Sequence, residues 1–374
     1  MSGLIGPGVL FRYRAGGSVP GLSVTRAGTA ATRLSNTGLL TTLAANQLRM
    51  SFFDTDNDGI LETPGAWIEP AGTNIATFPR DCTNDAWGKT NVTAALTQTG
   101  IDGTANSASL LTATAGNGTC LQTIVSASAS RMFSAFVKRV TGTGTINMTL
   151  DNGATWTAVT VTNSYRRLSI PTQVFTNPII GFRIVTNTDA IAVDYCQLES
   201  TKLLTSPTLS THNLDQVTAT WAYRPMSCTI YARYVAEHID AGADAVICQI
   251  GSGSSTNPRI YLAAGSGAGT VKMLNANLAG TSVSAGAGSA PTNGQLVEAR
   301  GVLNTDGSVI AAQSIGGAAE TVSAASGAQA LENAWAAQTI VLGSIGSSNA
   351  HAMGLMNLLV LSGVHSMDGC RGLA

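Results

Sequence analysis

EPAGTNIATFPRDCTNDAWGKTNVT, at residues 69–93, opens a stretch of the chain that closes with AIAVDYCQLES at residues 190–200. Between these ends, short runs of alternating apolar and polar residues are broken by Gly, Asn or Pro at intervals of roughly eight to twelve positions, which is typical of an antiparallel β-sandwich. The pattern predicts that residues 69–203 form one complete sandwich.

Residues 204–374 show a second series of short strand-like runs. Glycine- and serine-rich segments separate these runs and are predicted to be loops: Gly251–Ser255, Ala264–Gly269 and Gly280–Ser289. Residues 1–68 contain only short strand-like pieces and are predicted to be an N-terminal leader. No long helical period is present. The predicted fold class is therefore all-β, with two antiparallel β-sandwiches of the jelly-roll type after an extended leader.

Turn-forming residues separate the predicted strands of the first sandwich. Gly142–Gly144, Asn152–Gly153 and Asn187–Asp189 have the residue types that tight hairpin turns require. We therefore expect each of these segments to join two paired strands.

Charged residues make up only 11% of the chain, against roughly 25% in an average soluble domain. The net charge of -1 gives no electrostatic reason to expect nucleic acid or an anionic membrane as a partner. No run of about eighteen apolar residues occurs, so no membrane insertion is predicted. The N-terminal sequence MSGLIGPGVLFRYRAGG does not match a secretory signal, which predicts synthesis in a cytoplasm.

Asp54, Asp56 and Asp58 alternate along the leader and are followed by Gly59, as at the start of a calcium-binding loop. One interpretation is a Ca²⁺ site, although Gly65 occupies the twelfth position, where such loops carry a bidentate Glu. The other interpretation is an Asx-rich turn between two strands.

The cysteines contain no CxxC motif and no zinc spacing. They are expected to act as small buried apolar residues, with a Cys82–Cys120 bridge as an alternative.

No motif for catalysis emerges from the sequence. The four histidines lie far apart and in no HExxH or GxSxG frame, and most acidic residues fall in turns. The expectation is a protein that is not an enzyme. Trp87, Trp156 and Tyr165 are the candidate ligand-binding residues, because aromatic faces stack on sugar rings. The alternative for each Trp is that it closes one end of a sandwich core.

Four segments together bring a family to mind: TNDAWGKTNVT (83–93), SASRMFSAFVKR (128–139), DNGATWTAVTVTNSYRRLSI (151–170) and GFRIVTNTDAIAVDYCQLE (181–199). They resemble a carbohydrate-binding-module-like domain of tailed-bacteriophage virion proteins, whose outline includes an "-AW-K-NVT" hairpin and a closing "-QLE" strand. The C-terminal half, with TIYARYVAE (229–237) and VLGSIGSSNAHAMGLMNLLVLSGVHS (341–366), is similar to a laminin-G/concanavalin-like sandwich.

The resemblance implies a non-enzymatic virion protein, made in the host cytoplasm, that serves as a tail fibre, tail-tip or capsid-surface component. The leader would attach it to other virion proteins, and the sandwiches would display an adhesion surface for a host-surface glycan. Homo-oligomers, commonly trimers, are the usual state in such families. Two alternatives stay open: a capsid decoration or cement protein that binds only virion subunits, and a polysaccharide depolymerase.

Overall fold

A computed structural model describes residues 8–12, 22–26, 31–53, 61, 63–200, 204–221, 227–238, 244–251, 259–264, 270–277, 279–292, 294–329, 331, 338–342 and 352–373. The chain divides into two compact units, each of which is discontinuous in sequence. Unit 1 comprises Met1–Gly28, Leu43–Ala71 and Asn213–Ala374, and unit 2 comprises Thr29–Thr42 and Gly72–His212.

The described residues up to position 200 form strands almost exclusively. In chain order these strands are β1 (Gly8–Arg12), β2 (Leu22–Thr25), β3 (Thr32–Leu34), β4 (Leu40–Thr42), β5 (Met50–Phe53), β6 (Thr63–Ile68), β7 (Gly72–Thr73), β8 (Trp87–Thr90), β9 (Val92–Gln98), β10 (Ala108–Ala113), β11 (Gly118–Thr123), β12 (Ala129–Thr141), β13 (Ile146–Thr149), β14 (Thr157–Val159), β15 (Arg166–Phe175), β16 (Ile179–Ile184) and β17 (Ala190–Leu198).

The remaining described elements are twelve strands and a short C-terminal helix: β18 (Thr211–His212), β19 (Gln216–Trp221), β20 (Cys228–His238), β21 (Ala245–Gly251), β22 (Arg259–Ala264), β23 (Val271–Ala276), β24 (Ser282–Ala287), β25 (Gln295–Leu303), β26 (Val309–Ile315), β27 (Thr321–Val322), β28 (Gln338–Leu342), β29 (Ala352–Ser362) and α1 (Met367–Leu373). Among the described residues, no helix has the length and apolar character needed to span a bilayer.

Unit 2 is a sandwich of two five-stranded antiparallel sheets. The front sheet has the strand order β14-β13-β16-β11-β8, and the back sheet has the order β15-β12-β17-β10-β9. Alternate residues of both sheets point inward and form one apolar core, in which the rings of Phe133 and Phe182 lie 5.7 Å apart. Two short pairs, β3-β4 and β7-β18, complete the unit.

Unit 1 is a larger sandwich whose two sheets share a second apolar core. An eight-stranded sheet has the order β27-β26-β25-β20-β29-β6-β5, with β1 also paired to β29. The facing seven-stranded sheet has the order β2-β19-β28-β21-β22-β23-β24. Ile230 and Leu358 from the first sheet and Leu262 and Ile340 from the second are fully buried in this core. The all-β sandwich prediction is therefore confirmed.

The first 68 residues do not form a separate extended segment where they are described. Strand β1 pairs with β29, β2 pairs with β19, and β5 and β6 extend the eight-stranded sheet. These pairings satisfy backbone donors and acceptors that would otherwise be left at sheet edges. The sequence-based division into 1–68, 69–203 and 204–374 follows chain order, whereas the compact units interleave. The role of this segment in attachment stays a prediction.

The turns of the first sandwich differ from the prediction in what they connect. Asn152–Gly153 joins the paired strands β13 and β14, as expected for a hairpin. In contrast, Gly142–Gly144 and Asn187–Asp189 carry the chain from one sheet to the other. The "-AW-K-NVT" hairpin that the resemblance implies at residues 86–93 is not formed either, because Asn91, at a φ of 55°, separates β8 of the front sheet from β9 of the back sheet.

The predicted loop at Gly280–Ser289 is also wrong, because it contains strand β24. This strand lies at the edge of the seven-stranded sheet and pairs with β23. Its small residues Ala285 and Ala287 pack against the core of unit 1. Packing of small side chains thus outweighs their weak strand propensity.

The cysteines are buried, as predicted, and all of them are free thiols rather than bridged pairs.

Candidate functional site

The outer face of the back sheet in unit 2 is covered by the unit's own chain. Leu40, from the β3-β4 hairpin, packs with Ile101 over Phe136 and Tyr195 of the back sheet. The hairpin is fastened by a hydrogen bond from Leu40 N to Ile101 O at 2.9 Å. The part of this face around Phe136 and Tyr195 is therefore covered within unit 2.

Arg80 secures the loop that carries Ile101. Its guanidinium contacts the carboxylate of Asp102 at 2.7 Å and that of the buried Asp194 at 2.8 Å. Asp194 Oδ2 also accepts a hydrogen bond from Ile101 N at 2.8 Å. Burial raises the pKa of Asp194, and the bonds from Arg80 oppose that rise. These contacts fix the cover over the back sheet.

The front sheet presents a polar outer face, which follows directly from its register. Thr90 lies opposite Thr119, Thr119 lies opposite Arg183, and Arg183 lies opposite Asn147. Directly opposed residues point to the same side of a sheet, and the alternate residues in these strands, such as Phe182, point into the core. A polar row thus crosses the outer face.

The neighbouring row contains two glycines. Gly88 and Gly181 both lie opposite Leu121, and Gly181 also lies opposite Thr149. A Cβ at Gly181 would lie only 2.1 Å from Cys120 O, so the backbone requires glycine there. A Cβ at Gly88 would meet nothing nearer than Leu121 O at 3.7 Å, so glycine at this position leaves open space.

A groove of about 470 Å³ occupies this part of the face. Its volume lies within the range of roughly 300–1,000 Å³ that is usual for ligand sites. The described residues that line it come from β8, β11, the start of β16 and the adjoining loops: Asp85, Ala86, Gly88, Lys89, Thr90, Thr119, Leu121, Thr123, Asn152 and Ile179.

The loop at one rim of the groove is held by Lys89. The ammonium nitrogen Nζ donates to the carbonyl oxygens of Cys82 and Thr83, both at 3.1 Å, and of Asn84 at 3.0 Å. Asn84 Oδ1 in turn accepts a hydrogen bond from Ala86 N at 3.0 Å. The exposed Asp85 lies within this hydrogen-bonded loop and lines the groove.

Trp156 lies on the same side of unit 2 as the groove. The guanidinium carbon of Arg183 is 4.6 Å from the centre of the Trp156 ring, and Nε and Nη2 of Arg183 donate to Asn147 Oδ1 at 3.3 and 3.1 Å. The ring also approaches Gly153 so closely that a Cβ there would lie 2.6 Å from Trp156 Cζ2. The half-buried ring is thus held against the outer face of the front sheet.

Trp87 is a core residue and not a surface platform. Its side chain is 0% exposed, packs among the core residues of unit 2 and donates from Nε1 to Phe78 O at 3.2 Å. The prediction of Trp87 as a ligand-binding residue is corrected, because a fully buried ring cannot stack on a ligand. The alternative interpretation, that this Trp closes the core, describes its position.

Tyr165 lies away from Trp156, on the side of the back sheet. Its hydroxyl donates to Thr99 O at 3.0 Å, and Lys138 Nζ lies 4.6 Å from the centre of its ring. Tyr165 also packs with the residues that cover the back sheet. The structure therefore does not bring the two predicted aromatic residues together.

The predicted Ca²⁺ ligands Asp54, Asp56 and Asp58 lie outside the described residues. In the part of the chain that is described, no three side chains of His, Cys, Asp or Glu are grouped so that they could hold a metal ion.

Sequence reasoning missed the groove residues Asp85, Gly88, Thr90, Thr119 and Thr123. A signal for them was present, because Thr119 and Thr123 alternate with the inward-facing Cys120 and Gln122 along β11. Gly88, inside a strand, was a second signal of an unusual surface. Neither pattern shows by itself that β8 and β11 are neighbours in the sheet.

Comparisons with known proteins do not assign this chain to a family. No protein-family model matches the sequence, and no curated protein matches it. Among solved structures, the tandem CBM22-1–CBM22-2 domain from Paenibacillus barcinonensis Xyn10C covers 79% of this chain and 99% of its own length, at 9% sequence identity and a TM-score of 0.27. A match at this TM-score carries no argument about this chain.

Proposed function

We propose that this chain is a non-enzymatic virion protein of a tailed bacteriophage that binds a host-surface glycan in the groove of unit 2. The observation that carries the glycan-binding part is the difference between the two outer faces of unit 2. The back face is covered by the β3-β4 hairpin, whereas the front face is open, polar and grooved.

The groove has the chemistry that sugar rings require. A sugar ring has apolar C–H faces and a rim of hydroxyl groups, so it suits a flat apolar floor with polar groups around it. Leu121 and the unsubstituted Gly88 form such a floor. The hydroxyl groups of Thr90, Thr119 and Thr123 provide donors and acceptors at the walls. Trp156, which packs against Arg183 of the adjoining polar row, is proposed as its aromatic contact.

The virion setting rests on the sequence resemblance described above. This resemblance supports a fibre, tail-tip or capsid-surface component that is held by other virion proteins and forms a homo-oligomer. Quantitative mass spectrometry of purified particles would test it. A few copies per particle support a tail adhesin, and hundreds of copies support a decoration protein of the capsid. Absence of the chain from particles would rule out both.

Gly88→Trp is expected to abolish glycan binding while unit 2 stays folded. The position tolerates a side chain because the nearest atom to a Cβ is 3.7 Å away, and an indole there would fill the groove. We expect affinity to fall at least about 100-fold, since the ligand loses its floor and most of its contacts. Glycan-array screening of the full chain, followed by calorimetry on the best ligand, would measure the loss.

Val174→Trp is the matched control, because it adds the same ring at a site in the back sheet where the wild-type side chain is 65% exposed. Glycan affinity should be unchanged in this variant. Equal affinity of Gly88→Trp and wild type would show that the groove is not the binding site.

A further inference from the structure

We infer that the groove of unit 2 selects neutral polysaccharides over acidic ones, an inference that rests on the proposed function. Acidic polysaccharides carry carboxylate, phosphate or sulfate groups, and proteins bind such groups with unpaired Arg or Lys side chains or with clustered backbone N–H groups. Selectivity of the groove for anions depends on the charges that line it and on which of their hydrogen-bonding atoms already have partners.

The cation among the lining residues, Lys89, has no donor left for a ligand. Asp85 and Lys89 are the ionisable residues among the described lining residues. A lysine ammonium group has three N–H donors. Lys89 Nζ uses all three on the carbonyl oxygens of residues 82–84, at 3.0–3.1 Å. Lys89 therefore positions the loop and cannot donate to an anionic group without breaking a loop contact.

The anion in the groove remains accessible. Asp85 is exposed, and its carboxylate can accept hydrogen bonds from the hydroxyl groups of a neutral sugar. The same carboxylate repels a uronate or phosphate group. The groove thus offers a charged acceptor to hydroxyl groups and offers anions no lysine N–H donor that is free of other partners.

Next to the groove, one positive and one negative charge oppose each other and add no net charge. Arg183, in the polar row, directs Nε and Nη2 to Asn147 and lies over the ring of Trp156. Asp151, at the end of β13, contributes a second negative charge. Burial alone would raise the pKa of Asp151, but hydrogen bonds from Thr155 N and Thr149 Oγ1 lower it below its ordinary value. Asp151 is therefore ionised at neutral pH.

Affinity electrophoresis of the full chain would test the inference. Neutral gels would contain dextran, galactomannan or hydroxyethyl cellulose, and acidic gels would contain polygalacturonate or alginate. We expect retardation by at least one neutral polymer, with an affinity at least about tenfold higher than for either acidic polymer. Asp85→Asn should weaken neutral binding by about three- to tenfold, since a charge-assisted hydrogen bond becomes a neutral one.

Asp85→Lys should lower the neutral-to-acidic affinity ratio by at least about tenfold. Asp368→Lys makes the same change of charge at a side chain that is 89% exposed in unit 1, and the ratio should not move. Stronger retardation of the wild type by an acidic polymer would overturn the inference and leave glycan binding intact. An unchanged ratio in Asp85→Lys would overturn it as well. Retardation by no polymer would overturn the proposed function, and this inference with it.

Discussion

Replacing Arg49 by methionine is expected to lower the free energy of unfolding of unit 1 by about 3–5 kcal/mol. Arg49 belongs to a buried network with Arg26, Glu69 and Asp215, and each of the four residues is only 1–2% exposed. Two positive and two negative charges balance one another in this network. Removing one cation leaves a carboxylate buried without compensation, which is far more costly than losing a contact at the surface.

The four charged side chains are joined by direct contacts. Arg49 Nη1 pairs with Glu69 Oε1, and Nη2 lies 3.2 Å from Asp215 Oδ2. Arg26 Nη1 contacts Asp215 Oδ1 at 2.9 Å, and Trp67 Nε1 donates to Glu69 Oε2 at 2.5 Å.

Each charged residue also lies next to the end of a strand. Arg26 follows β2, Arg49 precedes β5, Glu69 follows β6, and Asp215 precedes β19. The network therefore connects the ends of strands from both sheets of unit 1. Its loss should lower the stability of the whole unit.

Urea denaturation of the full chain, read by hydrogen–deuterium exchange, would measure this effect. Peptides from β5, β6 and β19 report on unit 1, and peptides from the front and back sheets of unit 2 provide an internal control. Arg371→Met is the matched variant, because it breaks the two ion pairs of Arg371 with Glu298 and Asp368, in which Arg371 is 36% exposed, and it should cost about 1 kcal/mol or less. A cost this small for Arg49→Met would contradict the prediction.

A double variant separates charge from packing. Arg49→Met combined with Glu69→Gln restores the charge balance, because Arg26 and Asp215 remain as a pair. We expect it to be more stable than the sum of the two single changes predicts, by at least about 1 kcal/mol. Simple additivity would mean that packing, and not charge, determines the loss.

Asp215 gives the Arg49→Met effect a pH dependence. Burial raises the pKa of Asp215, and the charge of Arg49 opposes that rise, so removing Arg49 should raise the pKa further. An acid with a raised pKa in the folded state contributes stability that is complete below its unfolded pKa and is lost as pH rises through its folded pKa. The deficit of the variant relative to wild type should therefore shrink as pH falls from about 7 towards about 4.

Periodicity predicted many of the strands, although not β24, and it did not predict the way the strands assemble. The predicted strand at Ala190–Leu198 matches β17 at both ends, because its long apolar run is buried throughout. The sheet to which each strand belongs was harder to predict, because Asn152–Gly153 and Gly142–Gly144 are both typical turn sequences. Both segments contain a left-handed glycine, yet one joins paired strands and the other changes sheets. Local chemistry sets the turn, and long-range packing decides where the next strand pairs.

The candidate site was less predictable for a related reason. Trp156 could be placed on a surface loop from its position after Asn152–Gly153, but the groove depends on the neighbouring positions of β8, β11 and β16. Gly88 and Gly181 both lie opposite Leu121, although about ninety residues separate the two glycines. No local pattern contains that information, because register across three strands is a tertiary property.

Trp87→Ala is expected to destabilise unit 2 by about 3–5 kcal/mol, the usual cost of deleting a fully buried Trp side chain. The ring is 0% exposed and lies in the core between the two sheets, so its removal leaves a cavity and deletes the hydrogen bond from Nε1 to Phe78 O. Trp156→Ala should cost about 1 kcal/mol, because it loses the contact with Arg183 at a half-buried position. The two tryptophans thus form a matched pair within one unit.

The pair also separates stability from binding. In Trp156→Ala we expect glycan affinity to fall while hydrogen exchange in β10, β12 and β17 stays close to wild type. In Trp87→Ala we expect exchange to rise throughout both sheets, and any loss of binding should follow the unfolded fraction. A stable Trp87→Ala protein would contradict the assignment of Trp87 to the core. Full affinity in Trp156→Ala would show that Trp156 takes no part in binding. The ligand would then be confined to the groove between Asp85 and Thr123.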